Sequence, residues 1–470
     1  MIADTSTPLS TGLKPYSEYK DSGLPWLGRV PGHWGMRRTK VLLRERVEKG
    51  FPHEPLLAAT QSKGVVRKED YGTRTVTAQK DFHLLKLVEV GDFVISLRSF
   101  EGGIEVAHSR GIISPAYTVL EPRSKATSGY LRHFFKSPTF ISSLTLFVTG
   151  IREGQNIDYE RLSRAFLPLP PDEEQAAIVR FLDHATHRLD KAIRAKRKTI
   201  ALLNEQKQVI IHRAVTRGLD LDVPFKDSGI PWLGQIPAHW EIISLRMRYS
   251  VELGKMLDAK RITGRNSLPY LRNRDVQWDK IIVFNLPSMD ISPKEIERYT
   301  VKRGDLLVCE GGQVGRCAFW EEQLPTCGFQ KALHRLRALK PASDFPRFFF
   351  SQMQLAARLG IFAADGNENT IAHLTCEKLR RHRFAFPPYA EQKAIAEQLD
   401  SELQQFQDTA NRIEREIELL REYRTRLIAD VVTGKLDVRE AAEKLPEEPA
   451  PDTAADVSDE TEPTDEEVTV

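Results

Sequence analysis

Two stretches of the chain place paired glycines close to arginine, after a predicted strand that begins with Gly-Asp. Glycine lets a backbone pass close to a ligand, and arginine can bond a phosphate or a guanine edge through two donors. The pattern suits binding of a polyanion, although a tight hairpin with a solvated arginine would also produce it. The residues are Gly91, Asp92, Arg98, Gly102 and Gly103 in the first stretch, and Gly304, Asp305, Gly311, Gly312 and Arg316 in the second.

The motifs that would support catalysis are incomplete in the sequence. FPPY at 386–389 resembles the (Asn/Asp)-Pro-Pro-(Tyr/Phe) motif of DNA amino-methyltransferases, but Phe386 stands where that motif needs an acceptor for the target amine. VTGK at 432–435 lacks the upstream glycine of a phosphate-binding loop, and no GxGxxG loop follows a strand. The four cysteines form no CxxC pair, which argues against a zinc site or a disulfide framework. We therefore expect no catalytic, metal or cofactor site.

Charge is unevenly distributed, although the net formal charge of the 470 residues is only +3. Residues 440–470 contain 12 acidic residues and one basic residue, a net of −11, which leaves +14 on residues 1–439. A basic body is compatible with a polyanionic partner, and the acidic tail is predicted to be disordered. The tail is interpreted as a solubilising segment or as an intramolecular phosphate mimic. With no apolar run of membrane-spanning length and no secretion signal, the expected location is cytoplasmic.

An internal repeat organises the elements that position these residues. DSGLPWLGRVPGHW at 21–34 returns as DSGIPWLGQIPAHW at 227–240, with 10 of 14 positions identical at an offset of 206. PPDEEQAAIVRFLD at 170–183 returns as PPYAEQKAIAEQLD at 387–400, at an offset of 217. The chain is therefore two copies of one unit, and the copies differ mainly between these blocks.

Each second block opens a long predicted helix. Prolines precede it, and the first turn of the first helix is acidic, as the helix dipole favours. Apolar residues then recur every seven positions, interrupted only by Lys196 in the first helix. Each helix of about 43 residues, roughly 65 Å long, therefore has a seam that needs a partner. The simplest partner is the other helix. The seam residues are Ile178, Leu182, Leu189, Ile193, Ile200, Leu203, Ile210 and Ala214 in the first copy, and Ile395, Leu399, Phe406, Ile413, Ile417, Leu420, Leu427 and Val431 in the second.

Short β-type runs and glycine-rich turns between the blocks predict mixed α/β domains. The expected fold class is α/β plus α, with two mixed α/β domains separated by two long helices in an antiparallel coiled coil, and a pseudo-twofold internal repeat. The predicted divisions are an N-terminal extension 1–18, a first domain 19–169, a first helix 170–218, a second domain 219–386, a second helix 387–438 and an acidic disordered tail 439–470.

Several motifs are specific in combination: the DSGxPWLGxxPxHW blocks, LRSFEGGIE with GIISPAYTVL, CEGGQVGR with CGFQKALHRLR, and the PLPPxxEQ helix start. From about Tyr19 to Asp437, the chain resembles the specificity subunit of type I restriction-modification systems. The resemblance implies two target-recognition domains, each reading one half of a bipartite DNA site. It also implies helices that set the spacing and, with the repeated blocks, bind two methyltransferase subunits, while a nuclease-translocase subunit completes the complex. A stand-alone DNA-binding or scaffold protein outside restriction remains the alternative.

The resemblance turns the basic and amide side chains of both domains into candidates for DNA contact. Arginine suits guanine, whereas asparagine and glutamine suit adenine. The candidates in the first domain are Arg98, Ser99, Phe100, Gly102, Gly103, Arg110, Arg152, Gln155 and Asn156. Those in the second domain are Arg272, Asn273, Arg274, Gly311, Gly312, Gln313, Arg316, Gln330, Lys331, Asn367 and Asn369.

The repeated blocks also carry tryptophan and histidine at matching positions. We interpret the tryptophans as packing residues where domain and helix meet, and the alternative is that some face the methyltransferase. The histidines are interpreted as structural, because no nucleophile or metal pattern accompanies them. The residues are Trp26, His33 and Trp34 in the first block, and Trp232, His239 and Trp240 in the second.

Overall fold

The computed structural model describes residues 13–61, 63–71, 81–97, 99–149, 156–257, 263–363 and 373–446. The chain divides into two compact units: unit 1 is Met1–Lys196 with Arg415–Val470, and unit 2 is Arg197–Glu414. Among the described helices, none combines the length and the apolar character needed to cross a membrane.

Unit 1 is built on an antiparallel sheet whose neighbouring strands are, in order, Leu43–Arg46 (β4), Thr118–Pro122 (β11), Phe93–Ile95 (β8) and Glu105–Val106 (β9). Its strands are β1 Tyr19–Asp21, β2 Arg29–Pro31, β3 Gly35–Arg38, β4 Leu43–Arg46, β5 Leu57–Thr60, β6 Gly64–Arg67, β7 Lys86–Val88, β8 Phe93–Ile95, β9 Glu105–Val106, β10 Gly111–Ile113, β11 Thr118–Pro122, β12 Val148–Thr149, β13 Asn156–Ile157 and β14 Phe166–Leu169. Its domain helices are α1 Thr39–Leu42, α2 Ser99–Gly102, α3 Lys125–Phe134, α4 Pro138–Leu144 and α5 Tyr159–Arg164, with 3-10 turns at Lys68–Tyr71, Phe82–Leu84 and Thr145–Phe147. The long helix α6, Asp172–Arg217, follows.

Unit 2 repeats this design, and the neighbouring strands of its antiparallel sheet are, in order, Tyr249–Leu253 (β18), Leu333–Ala338 (β26), Leu306–Cys309 (β23) and Cys317–Phe319 (β24). Its strands are β15 Phe225–Asp227, β16 Gln235–Pro237, β17 Glu241–Ser244, β18 Tyr249–Leu253, β19 Ser267–Leu271, β20 Val276–Gln277, β21 Lys280–Ile281, β22 Ser288–Asp290, β23 Leu306–Cys309, β24 Cys317–Phe319, β25 Gly328–Phe329, β26 Leu333–Ala338 and β27 Arg383–Phe386. Its domain helices are α7 Ile296–Tyr299, α8 Pro346–Arg358 and α9 Cys376–Arg381, with 3-10 turns at Leu245–Met247, Asn273–Asp275 and Pro341–Ser343. The second long helix is α10, Tyr389–Val432, and α11, Arg439–Glu443, follows it in unit 1.

The two long helices pack together, in agreement with the predicted mixed α/β fold with long helices. In unit 1, Arg424 of α10 donates to Asp190 of α6 at 2.7 Å, and Lys196 donates to Glu416 at 2.5 Å. In unit 2, Lys207 of α6 donates to an amide oxygen of α10 at 2.9 Å. In unit 1 the partner's residue number falls as the residue number on α6 rises, so this segment of the pair runs antiparallel.

The repeat block of unit 1 is fastened to the first turn of α6. One oxygen of Glu174 accepts hydrogen bonds from the indole of Trp34, at 2.8 Å, and from the hydroxyl of Tyr16, at 2.5 Å. Its other oxygen lies 2.6 Å from Nε2 of His33. Burial and the bond to Glu174 raise the pKa of Tyr16, so the hydroxyl stays protonated and donates. These donors satisfy a carboxylate that is almost completely buried.

The tryptophan and histidine contacts recur in unit 2, at the first turn of α10. Glu391 accepts a hydrogen bond from the indole of Trp240 at 3.0 Å, and its other oxygen lies 2.8 Å from Nε2 of His239. The second tryptophan of each block is fully buried, which confirms the packing interpretation for that pair. Trp26 and Trp232 are half-buried and pack against the cores of their own units.

The start of the acidic tail differs from the prediction of disorder from residue 439. Helix α11 begins at Arg439, and Val438 and Ala442 are buried in the core of unit 1. Arg180 of α6 donates to the carbonyl of Leu445 at 2.6 Å. Apolar residues spaced by about one turn bury this short helix, and the average composition of the tail hides that pattern. Residues 447–470, where most of the acidic charge lies, are outside the described residues.

Candidate nucleic-acid interface

The Gly-Asp pairs at the head of β8 and β23 hold the central sheets rather than a ligand. The buried carboxylate of Asp92 accepts a bond from Arg46 of β4 at 2.8 Å. In unit 2, Asp305 accepts two bonds from Arg337 of β26, each 2.7 Å long. Burial raises the pKa of Asp92 although Arg46 opposes the shift. The first pair therefore joins the start of β8 to β4, and the second joins the start of β23 to β26. The segments that follow β8 and β23 begin from strands that these ion pairs hold in place.

In unit 1, the structure puts the glycine pair to a different use from the predicted approach to a ligand. Gly102 ends helix α2, and Gly103 has φ +86° with its Cβ position only 2.3 Å from the carbonyl oxygen of Phe135. Lys136 donates to the carbonyls of Gln61, at 3.1 Å, and of Gly102, at 3.0 Å. Glycine at position 103 therefore allows the backbone of Phe135, a segment of the same protein, to lie against it.

The other unit 1 candidates are mostly engaged within the protein. Ser99 is buried and accepts a bond from the amide of Ser96 at 2.8 Å, while Phe100 packs against the core. Arg110 pairs with two carboxylates, including Glu54 at 2.9 Å. Asn156 belongs to β13, which pairs with β12. Three further candidates lie outside the described residues: Arg98, Arg152 and Gln155.

In unit 2, three segments distant in sequence meet around one side chain. The amide nitrogen of Asn273 donates to the carbonyls of Gly311, at 3.1 Å, and of Ala332, at 3.4 Å. Arg316 also binds Asn273: its Nη2 donates to the backbone and side-chain oxygens of Asn273 at 2.9 and 3.0 Å. The 3-10 turn after β19, the turn between β23 and β24, and the loop after β25 therefore form one surface. All three segments contain residues that the sequence predicted to contact DNA.

This surface separates candidates that hold it together from candidates that face solvent. Arg272 forms a two-bond ion pair with the buried Asp275, at 2.7 and 2.8 Å, and is structural together with Asn273 and Arg316. Gln330 is half-buried, and its backbone bonds to the end of β19. The exposed candidates are Arg274, Gly312, Gln313 and Lys331, with Gly311 half-buried between them. Asn367 and Asn369 are outside the described residues.

Sequence reasoning missed two exposed residues on the segment that follows Arg274. Lys280 lies in the hairpin of β20 and β21, and Phe284 is the most exposed large apolar side chain in the described part of the chain. Its neighbours Val283 and Leu286 pack against the core, so Phe284 is displayed from an anchored turn. The signal was hidden because the run KIIVFNL reads as a buried strand.

The described residues indicate neither a metal site nor a reactive thiol. Within the described ranges, no group of His, Cys, Asp and Glu side chains is arranged to hold a metal ion. All four cysteines are free. Burial raises the pKa of Cys327 to about 12, so this thiol stays protonated at neutral pH.

No protein-family model matches the chain. The chain is similar to the putative type I restriction enzyme MjaX specificity subunit of Methanocaldococcus jannaschii, with 23% identity over 448 residues that cover 88% of this chain and 96% of the relative. The type I restriction enzyme MjaVIII specificity subunit of the same organism is 27% identical over 197 residues, which are 42% of this chain. The match spans 44% of the length of that second relative.

The fold is also similar to a chain in a solved structure that concerns complex assembly and conformational transition of the type I R-M system. The TM-score is 0.65 at 15% identity, over 87% of this chain and 99% of the other. At that identity the likeness shows the fold alone. Together with the curated relatives, it confirms the resemblance to type I specificity subunits that the sequence motifs indicated.

Proposed function

We propose that this chain is the DNA sequence-specificity subunit of a type I restriction-modification complex. The observation that carries the proposal is the similarity to a type I specificity subunit across almost the whole length of both proteins. The internal repeat agrees with it, because two units of one design suit a protein that reads two DNA sequences. In this proposal, residues 19–169 and 219–386 are recognition domains that each read one half of a bipartite site.

The long helices, in this proposal, form an antiparallel coiled coil that sets the distance between the recognition domains. Ion pairs between α6 and α10 support the pairing. A stiff spacer fixes half-site separation better than a flexible linker does, so we expect a gap of constant length in the DNA site. Exposed cations such as Arg274 and Lys331 supply phosphate or base contacts.

Catalysis is assigned to partners in this proposal. Two methyltransferase subunits bind the helices and the repeated blocks, and nuclease-translocase subunits complete the restricting assembly. The chain itself neither methylates DNA, cleaves it nor hydrolyses ATP. Methyl transfer from labelled S-adenosylmethionine to cognate DNA by the purified chain alone would contradict this assignment.

The decisive experiment is methylome sequencing of the host, before and after replacing residues 35–169 with the equivalent segment of a related specificity subunit. We expect a two-part methylated motif with a fixed gap, and the replacement should change one half of the motif while the gap and the other half persist. A change in both halves would refute independent reading. A chain that binds DNA while the host carries no two-part motif would favour the alternative of a DNA-binding protein outside restriction.

A further inference from the structure

Phe284 is 78% exposed, more than any other large apolar side chain in the described part of the chain, yet its backbone is tied down on both sides. Before it, the amide of Ile282 donates to the carbonyl of Asp275 at 2.8 Å. After it, the carbonyl of Pro287 accepts a bond from the amide of Tyr270 at 2.9 Å. The two bonds hold this segment alongside the end of β19 and the 3-10 turn that follows β19. Phe284 is therefore carried on the surface that forms around that turn.

The residues next to Phe284 fix the direction in which its ring points. Val283 immediately before it and Leu286 two positions after it both pack against the core of unit 2. Asn285 has a left-handed backbone with φ +53°, a conformation that asparagine adopts more readily than most residues. The chain therefore turns back towards the core directly after Phe284, and the ring is left on the outside. Because the ring is presented before a partner arrives, little order has to be created on binding.

The exposed residues that share this surface with Phe284 are cations and an amide. An isolated exposed apolar residue needs no explanation. A fixed aromatic ring among cations and amides is a different case, because phosphates take the cations and base edges take the amides, which leaves the ring in need of an apolar partner on the DNA. The polar residues are Arg274 on the adjoining turn, Lys280 in the hairpin that leads to Phe284, and Gln313 and Lys331 on the other two segments.

The chemistry of the DNA grooves identifies this apolar partner. Base edges present hydrogen-bond donors and acceptors, which a phenyl ring cannot satisfy, and the one apolar group among them is the 5-methyl group of thymine in the major groove. Insertion of the ring between base pairs would first require the DNA to unstack. Contact with a thymine methyl group requires no such distortion, so it is the simpler use of an exposed ring.

We infer that Phe284 reads a thymine in the half-site of unit 2 by covering the 5-methyl group of that base. The inference rests on the proposed function and adds to it one base and the side chain that recognises it. The half-site of unit 2 then contains an A·T pair at the position that faces Phe284. Burial of one methyl group corresponds to roughly a fourfold change in affinity.

The test is DNA binding by the full-length chain assembled with methyltransferase subunits, measured by fluorescence anisotropy without S-adenosylmethionine. The duplex carries the two-part motif found by methylome sequencing, and the half-site of unit 2 is the half that persists when residues 35–169 are replaced. Each thymine of that half-site is exchanged in turn for deoxyuridine, which lacks only the methyl group. The wild-type complex should lose about fourfold in affinity at one of these positions.

Phe284→Ala should bind the unmodified duplex at least fourfold more weakly than wild type. Deoxyuridine at the sensitive position should then have no further effect, because both changes remove the same contact. Leu339→Ala is the matched control: Leu339 is 54% exposed and follows β26, whose opposite end adjoins the surface at Ala332. This control should keep the affinity of wild type and its response to deoxyuridine. Both side chains are exposed, so neither change should alter the fold, which circular dichroism checks.

Several outcomes would overturn the inference while the proposed function stands. They are an unchanged affinity of Phe284→Ala, a response to deoxyuridine that survives in this variant, an equal loss in Leu339→Ala, and a half-site of unit 2 without an A·T pair. Weaker binding by Phe284→Ala with no sensitive thymine in wild type would assign the ring to stacking instead. Loss of methyltransferase subunits from the variant would assign it to a protein contact. A wild-type complex that does not bind its two-part motif would overturn the proposed function itself.

Discussion

In unit 1, Gly102 and Gly103 end a short helix and lie against the chain itself, with the carbonyl of Phe135 filling the space that a side chain would take. In unit 2, Gly311 and Gly312 form an open turn between β23 and β24, and the nearest atom to a Cβ on Gly312 lies 3.9 Å away. The two pairs follow equivalent strands of equivalent sheets. One pair serves packing and the other serves a turn at the surface.

The difference shows which parts of the repeat are shared and which are free to diverge. Both units keep the sheet order, the buried Asp-Arg pair and the carboxylate that binds the repeated block. The segments attached to that framework differ in length and in contacts. In the proposed function, reading two different half-sites requires this separation, because specificity then changes in the loops while the framework continues to fold.

Replacing the second glycine of each pair with alanine tests the contrast most strongly. Gly103→Ala should lower the free energy of unfolding by about 4 kcal/mol, because a left-handed backbone is combined with a collision against Phe135. Gly312→Ala meets open space and should cost about 1 kcal/mol for its positive φ alone. Urea denaturation measures both values. Equal losses in the free energy of unfolding would mean that the two glycine pairs have the same structural role.

The carboxylates at the first turns of α6 and α10 provide the next comparison. Glu174 is 4% exposed and binds two buried donors in Trp34 and Tyr16, whereas Glu391 is 28% exposed and binds one buried donor. Glu174→Ala should therefore cost about 3 kcal/mol and Glu391→Ala about 1 kcal/mol, since unpaired buried donors carry most of the penalty. Hydrogen exchange of the two repeated blocks should show the larger loss of protection in unit 1. The opposite order would contradict this account of the two contacts.

The repeated framework could be predicted from sequence because its signals are local or duplicated. Proline pairs, an acidic first turn in the first helix and a seven-residue apolar spacing indicated the long helices, and Gly218 and Gly434 adopt positive φ just beyond their ends. Arg272, a candidate for DNA contact, pairs with Asp275, and the spacing of three residues made this ion pair predictable from the sequence.

The contacts between distant segments could not be predicted in the same way. Phe135 lies far from Gly103 in sequence, so the need for glycine there becomes visible only when the chain has folded. The convergence of Asn273 with the loop at Ala332 has the same origin. Phe284 was hidden for another reason: the continuous apolar run from Ile281 reads as a buried strand, whereas burial alternates along it and leaves Phe284 on the solvent side. Local pattern identifies elements, whereas tertiary contact decides which polar side chains remain available.

Acidification should destabilise unit 2 locally and spare the Asp92 region of unit 1, with a smaller effect than the substitutions above. In unit 2, Glu295 accepts bonds from Lys255, at 2.7 Å, and from the hydroxyl and amide of Ser292, at 2.7 and 3.0 Å, and these donors lower its pKa from 4.5 to about 2. A lowered folded-state pKa stabilises the protein above the unfolded value and is lost as the pH falls from about 5 towards 2. Because more than a third of the side chain is exposed, we expect a loss of about 1 kcal/mol.

The pKa of Asp92 in unit 1 is raised by burial, so protonation there does not add to the loss. Amide exchange at 288–300, corrected for its intrinsic pH dependence, should accelerate over this range while exchange at 92–95 does not. Glu295→Gln should reduce the acceleration without abolishing it, because hydrogen bonds also lower the pKa of Asp290 and Glu297 in the same segment. If the variant keeps the full pH response, another carboxylate is responsible for it.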